Sequence, residues 1–203
     1  MAQQKQRKGG KKKFFEIKAP ITATKIHLLG YDEEEFEGKV VKIDLTKALR
    51  GKSFELRLKI KKESKELVAS PVSLQLFQSY VRKTVRKGTD YVEDSFETEC
   101  KDAILRIKPF LITRNRVSRS VRNALREGSK KFIEGYVKIR YSKDVFTEVT
   151  TNKIQKQLSQ KLKKIYPLAL CEIRSVILIK EIEVKKVKKE EKSTETKEKS
   201  TEQ

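Results

Sequence analysis

The sequence predicts an α+β protein. The expected architecture is a mixed or antiparallel sheet, or a partly closed barrel, packed with about three helices. A flexible basic arm precedes it and a charged tail follows. Three observations lead there. Segments with an apolar period of two and segments with a helical period follow one another in mixed order. Regular apolar patterning is concentrated in residues 38–182, and a chain of this size can bury one sizeable core. The ends are compositionally different: residues 1–13 are rich in Gln, Lys and Gly with no apolar residue after Ala2, and residues 185–203 are mostly Lys, Glu, Ser and Thr. Neither end can offset its ordering entropy by burial. The expected organisation is a disordered basic arm (1–13), a single globular domain (14–184) and a disordered Lys/Glu tail (185–203).

In chain order, Gly38–Leu45 reads as a strand through Val40, Ile43 and Leu45. Phe54–Lys61 alternates strictly and is the clearest half-buried strand, with Glu66–Ala69 as a short partner across the Lys61–Lys65 turn. Ser70-Pro71 reads as the start of a helix over 71–87, Ser as N-cap and Pro at the first helical position. Leu74, Phe77, Val81, Thr84 and Val85 would share its apolar face, with Gly88 ending it. Tyr91–Cys100 and Ala103–Thr113 form a long hairpin joined at Lys101-Asp102. A helix follows over 117–132, running at most a few residues further. Residues 133–149 fit neither period. Thr150 or Thr151 then caps a helix carrying Ile154, Leu158, Leu162 and Ile165 and stopping before Tyr166-Pro167. Leu170–Val184 closes the fold as a strand.

Charge narrows the function. The formal net charge is +21, well beyond the magnitude of about 2–8 that keeps a small domain soluble. The surplus is blocked. Residues 1–18 hold seven Lys and Arg against Glu16, and Arg106–Lys131 holds nine against Glu127. Grouped cations are the footprint of a polyanion binder, because each neutralised phosphate releases condensed counterions. The tail, with seven lysines against five glutamates, is nearly neutral and reads as solvated. Cys100 and Cys171 lie far apart in apolar-patterned segments, which suits two buried thiols in a reducing cytoplasm. Neither a spanning apolar run nor a secretory leader is visible, so a soluble cytoplasmic protein without membrane contact is expected.

Catalysis is not expected. His27 is the only histidine and has no motif partner for base or nucleophile chemistry. One His and two separated Cys give no zinc spacing, and Gly9-Gly10 lies in a basic tail rather than between a strand and a helix. The run Asp32-Glu33-Glu34-Glu35 lacks the turn glycine of a cation cage and reads as a solvated acidic loop. No metal and no cofactor are anticipated.

The helix over 117–132 is the most informative element. At 100° per residue, Val117, Val121, Ala124, Leu125, Gly128 and Phe132 gather on one side, with Arg116, Arg119, Arg122, Arg126 and Lys130 opposite. An ordinary surface helix would interleave glutamates at i,i+4 spacing; here none is interleaved among the arginines. The arginine fork suits bidentate phosphate contact. The connector Arg114-Asn115-Arg116 offers further donors, as do Arg82, Lys83, Arg86 and Lys87 on the 71–87 helix. Lys8, Lys11, Lys12, Lys13 and Lys18 supply the arm. Lys153, Lys156, Lys163 and Lys164 add charge to the last helix. Of Phe14 and Phe15, one is expected to anchor the arm in the core. Duplex-reading motifs and the aromatic signature of common single-strand modules are absent, which leaves shape-driven binding to a large folded RNA.

Lys12-Lys13-Phe14-Phe15-Glu16-Ile17-Lys18-Ala19-Pro20 resembles the N-terminus of the archaeal and eukaryotic small-subunit ribosomal proteins called S-three-a, or eukaryotic-type S-one. The resemblance continues through Gly38-Lys39-Val40 with Leu45, the arginine-rich Phe110–Arg126 stretch, and Lys164-Ile165-Tyr166-Pro167-Leu168. Order and spacing hold over residues 12–182. Phe14-Phe15 stands where eukaryotic members carry tryptophan and tyrosine, residues 133–149 match poorly, and the tail has no counterpart. The short form is of the archaeal type. The resemblance implies a structural ribonucleoprotein component of translation that binds small-subunit rRNA. It also implies a place on the platform near the messenger exit, with neighbouring small-subunit proteins and messenger RNA as further candidate partners. The rival readings are a free-standing RNA- or DNA-binding chaperone or chromatin protein, and a nuclease or RNA-modifying enzyme.

Overall fold

The computed structural model describes residues 11–22, 24–47, 49, 52–63 and 66–182. Lys13–Ala19 (β1) and Thr24–Gly30 (β2) form an antiparallel hairpin in which Phe15 pairs with Leu28 and Ile17 with Ile26. Ile17 is fully buried. Asp32-Glu33-Glu34-Glu35 opens a 3-10 turn over Glu33–Phe36 whose purpose is apolar: buried Phe36 meets Phe15 at 5.4 Å between ring centroids. A side chain at Gly30 would collide with that ring, its Cβ falling 2.3 Å from Phe36 Cζ.

Val40–Asp44 (β3) and Phe54–Glu63 (β4) pair antiparallel, and the alternation of β4 buries Phe54, Leu56, Leu58 and Ile60. The next element corrects the sequence reading. Residues 71–76 continue a long strand, Glu66–Leu76 (β5), and helix is confined to Gln78–Thr84 (α1). Pro71 lies opposite Leu58 and Ser73 opposite Arg57, so Val72 is the extra residue of a bulge. A proline, which cannot donate to a ladder, is tolerated within a sheet at such an irregularity. The bulge also flips the buried side from Leu67, Ala69 and Pro71 to Leu74 and Leu76. Leu74 therefore belongs to the sheet, Phe77 is the helix N-cap, Val81 is the buried residue of α1, and Val85 is exposed.

Tyr91–Glu93 (β6) and Phe96–Glu99 (β7) both pair antiparallel with Ala103–Thr113 (β8), giving the expected hairpin with a break at Asp94-Ser95. The helical layer comprises Arg119–Val137 (α2), Ser142–Thr150 (α3) and Lys153–Leu162 (α4), before Leu168–Glu181 (β9) returns to the sheet. The described residues thus hold four α-helices, in keeping with the expected figure of about three, residues 133–149 completing α2 and forming α3. Thr150 and Thr151 do not cap α4; their hydroxyls donate back to the Thr147 carbonyl, and Asn152, at φ 61°, turns the chain into α4.

The sheet runs β2-β1-β5-β9-β8-β6, with β3–β4 joined at β5 and β7 at β8. It is mixed, since β1 meets β5 in parallel, and it stays open rather than closing as a barrel. Leu125, Ile133 and Val137 of α2, Val145, Phe146 and Val149 of α3, and Ile154, Leu158 and Leu162 of α4 are buried in one core with the strands. Gly128 lets α2 approach α4, where an added Cβ would lie 3.1 Å from Leu162.

α3 has no cap of its own, since its N-cap is Tyr141. Asp102, in the turn between β7 and β8, serves instead: Ser142 donates its N–H at 2.7 Å and its hydroxyl at 2.6 Å to that carboxylate. Burial alone would push Asp102 up, but the bonds from Ser142 hold its carboxyl below the ordinary value. A depressed folded value contributes stability that is complete above the unfolded value of about 3.9 and is lost as pH falls through the folded one. Asp102→Ala should cost about 1–2 kcal/mol at neutral pH, the worth of a strong cap. The difference in Tm from the parent should shrink below about pH 4, and a pH-independent difference would contradict this assignment.

Candidate nucleic-acid interface

The arginine-bearing connector is held in place by a lock absent from the sequence reading. Thr113, fully buried at the end of β8, donates its N–H to the Asp90 carbonyl at 2.9 Å and accepts from the Asp90 N–H at 3.0 Å. The Asp90 carboxylate then takes the Val117 N–H at 3.0 Å. These bonds fix both ends of Arg114-Asn115-Arg116, whose side chains are exposed. α2 begins at once, with Ser118 as N-cap and no acid in the first turn.

The buried face of α2 is rotated slightly from the expected one. Leu125, Ser129, Ile133, Tyr136 and Val137 are buried, Val121, Gly128 and Phe132 are partly covered, and Ala124 is exposed. Arg119, Arg122, Arg126 and Lys130 face solvent as the sequence indicated. They are not equivalent. Arg126 donates to the Glu93 carbonyl at 3.4 Å and to Asn123 at 3.2 Å, and Lys130 stands 4.0 Å from Glu134. Among the described residues, Arg114, Arg116, Arg119 and Arg122 form no salt bridge or side-chain hydrogen bond. Four guanidinium groups follow one another along the connector and first helical turn without a counter-charge.

Arg82 and Lys83 lie in the last turn of α1, and Arg86 and Lys87 in the turn beyond it, where Gly88 takes φ 85°. All four are exposed. This turn and the connector meet around a cleft of about 530 Å³ lined by Lys83, Arg86 and Arg114 with Tyr80, Ile112 and Leu170. The structure thus joins two of the predicted basic clusters. Burial, then the charge of Glu172, pushes the Tyr80 phenol above its ordinary value, so its hydroxyl stays protonated at neutral pH.

The arm is not brought to the same place. β1 is separated from β8 by β5 and β9 in the sheet order. Lys11, Lys12 and Lys13 are exposed there, with Lys12 Nζ 5.6 Å from the Tyr31 ring centroid. Lys18 pairs with Glu66 at 2.8 Å, so its charge is already matched. Lys8 lies outside the described residues. Phe15 is the core anchor of this region, while Phe14 is 73% exposed. Lys153, Lys156, Lys163 and Lys164 are exposed on and just beyond α4.

Other chemistry is sparse. His27 is an exposed residue of β2 paired with Glu16 in register. Both cysteines are free; Cys100 is buried, Cys171 is only half-buried, and burial beside the Glu172 charge pushes the Cys171 thiol up to about 12. Among the described residues no group of His, Cys, Asp or Glu is arranged to hold a metal, and no helix is long and apolar enough to cross a membrane.

Unmatched guanidinium groups on a connector hydrogen-bonded at both ends can donate to anionic oxygens. The ribosomal S3Ae family model matches residues 2–182, and the chain belongs to that family. Membership makes it a ribosomal protein rather than an enzyme. The chain is 29% identical over 178 residues to the small ribosomal subunit protein eS1 of Nanoarchaeum equitans, covering 83% of this chain and 89% of that relative. It is 26% identical over 177 residues to the Saccharolobus islandicus small ribosomal subunit protein eS1, covering 83% and 85%. The Methanothermobacter thermautotrophicus protein of the same description is 29% identical over 100 residues, 49% of this chain and 51% of its own length.

Proposed function

We propose that this protein is a structural constituent of the cytoplasmic small ribosomal subunit that binds rRNA by phosphate neutralisation and shape. The observation that carries the reading is the unmatched series Arg114, Arg116, Arg119 and Arg122, in a protein that elsewhere pairs Lys18, Lys25, Lys61 and Arg106 with carboxylates. Cations left open in this way are available to phosphate oxygens, which accept the two parallel donors of a guanidinium. The Asp90–Thr113 lock orders the connector before RNA arrives and so lowers the entropy lost on binding. Arg82, Lys83, Arg86 and Lys87 extend this surface, and Lys11, Lys12 and Lys13 form a second one that engages RNA separately, with Lys8 of the same arm also binding RNA. Residues 14–184 act as one globular unit between arm and tail. The family resemblance supports a place on the platform near the messenger exit, beside neighbouring small-subunit proteins and within reach of messenger RNA.

Salt dependence tests the mechanism. With on the order of six phosphate contacts at about −0.9 each, the log–log slope of affinity for small-subunit rRNA should be near −5. A slope shallower than about −3 would mean that the clusters are mostly solvated. Sedimentation of tagged protein from a lysate tests the partner: co-migration with small subunits is expected, and a soluble or nucleoid fraction would favour the free-standing chaperone or chromatin protein instead.

A further inference from the structure

The cleft between α1, the connector and the start of β9 differs from three other clefts among the described residues. Those carry carboxylates: Asp102 and Glu181 in one, Glu93 and Asp94 in the second, Glu172 in the third. This one has none. Its charged groups are Lys83, Arg86 and Arg114, and its walls are Tyr80, Ile112 and Leu170 with Thr84, Thr89 and Ala169. At about 530 Å³ it falls within the roughly 300–1,000 Å³ of small-molecule sites. Its construction adds a further feature. Ile112 pairs with Leu170 and Thr113 with Leu168, so Ala169 is the extra residue of a bulge. That bulge places Ala169 at the wall of the cleft.

Apolar walls with one aromatic ring and a cationic rim form a combination that a bare phosphate does not need. Phosphate oxygens are served by cations alone. A planar heterocycle attached to a phosphate would use both the ring-bearing apolar walls and the cations. We propose, on the reading given under Proposed function, that this cleft takes one nucleotide extruded from a single-stranded stretch of the bound RNA. The base enters against Tyr80, Ile112 and Leu170, and its phosphates rest on Lys83, Arg86 and Arg114. Unstacked loop bases are the parts of RNA that proteins read with side chains, since the deep groove of the duplex is closed to them. The cleft therefore supplies selectivity for unpaired RNA, and the Arg116–Arg122 ridge supplies affinity regardless of pairing.

The test is to fill the cleft while keeping its cations. Thr84 is suited to this because its hydroxyl bonds only to carbonyls of its own helix, those of Tyr80 and Val81. Thr84→Phe and, from the opposite wall, Ala169→Phe are compared with the parent and with Thr84→Val in the full chain. Affinity is measured for a small-subunit rRNA fragment keeping its unpaired loops and for a fully paired duplex with as many phosphates. Both Phe variants should bind the looped RNA about tenfold more weakly, the worth of one stacked base, and the duplex unchanged. Thr84→Val should behave as the parent. Thermal melting identifies any filler that unfolds, and the other then decides. Unchanged affinity for looped RNA, or equal losses on both RNAs, overturns the nucleotide site. The variant Arg119→Gln/Arg122→Gln separates this from the wider reading. If it weakens both RNAs while the fillers weaken neither, only the cleft assignment fails; if it weakens neither, the reading of the arginine ridge as the RNA face fails.

Discussion

The variant Arg114→Gln/Arg119→Gln/Arg122→Gln should bind small-subunit rRNA at least about a hundredfold more weakly than the parent, taking roughly 1 kcal/mol per lost charged contact. Its log–log salt slope should be shallower by about 2.7. Its Tm should be nearly unchanged, because exposed substitutions without partners usually cost within about 0.5 kcal/mol. All three side chains are exposed and, among the described residues, unpaired. Leu125→Ala is the converse control. Leu125 is fully buried on the same helix, so its truncation should cost about 2–5 kcal/mol of stability while the folded fraction binds RNA normally. An early melt of the triple variant would make these arginines structural, and normal affinity would move the RNA face elsewhere.

Lys52→Met should lower stability by about 3 kcal/mol, or roughly 6–12 °C in Tm. Lys52 sits in the segment before β4 and reaches across to Glu172 of β9, forming an ion pair, and to Asn152 Oδ1 at 2.7 Å. The Glu172 side chain is 4% exposed and its second oxygen has no partner among the described residues. Removing the ammonium leaves a buried carboxylate uncompensated, which costs more than the pair itself contributes. Lys52→Met combined with Glu172→Leu should therefore recover most of the loss. A double variant less stable than the single one, or a single variant within about 1 kcal/mol of the parent, would contradict this account.

Local signals in the sequence led to β4, the β8 hairpin and Ile154, Leu158 and Leu162 of α4, because strict alternation and i,i+4 spacing there carry their own register, whereas Ile165, placed on the same stripe, lies beyond the helix end and is exposed. They misled at Ser70-Pro71. The pair mimics a helix start, and β5 carries a bulge at Val72 and buries the adjacent residues Ser73 and Leu74, so neither period stands out. α3 was hidden for another reason: its cap, Asp102, comes from a turn forty residues earlier in the chain. The same distinction holds for the interface. Arginines spaced along one helix are visible in order, and Arg119, Arg122, Arg126 and Lys130 do share its exposed side. The Asp90–Thr113 lock and the cleft beside Arg114 depend on residues far apart in sequence, and only the folded sheet makes them neighbours.

The position of β9 has a consequence for how this chain is made. β9 lies between β5 and β8, so the last of the described strands to leave the ribosome joins the two halves of the sheet. Until residue 181 has emerged, β5 and β8 each present an unpaired edge next to apolar surface, and such edges are templates for pairing with other chains. Vectorial synthesis thus assembles the flanks first and the centre last. The bonds between Ala103–Thr113 and Leu168–Glu181 span the whole helical layer, a long sequence separation of the kind that slows folding. A highly cationic nascent chain emerging into a cell full of RNA must remain unpaired through that interval. A chain truncated within β9 would expose both edges permanently, and its fate would be aggregation or proteolysis rather than a smaller folded protein.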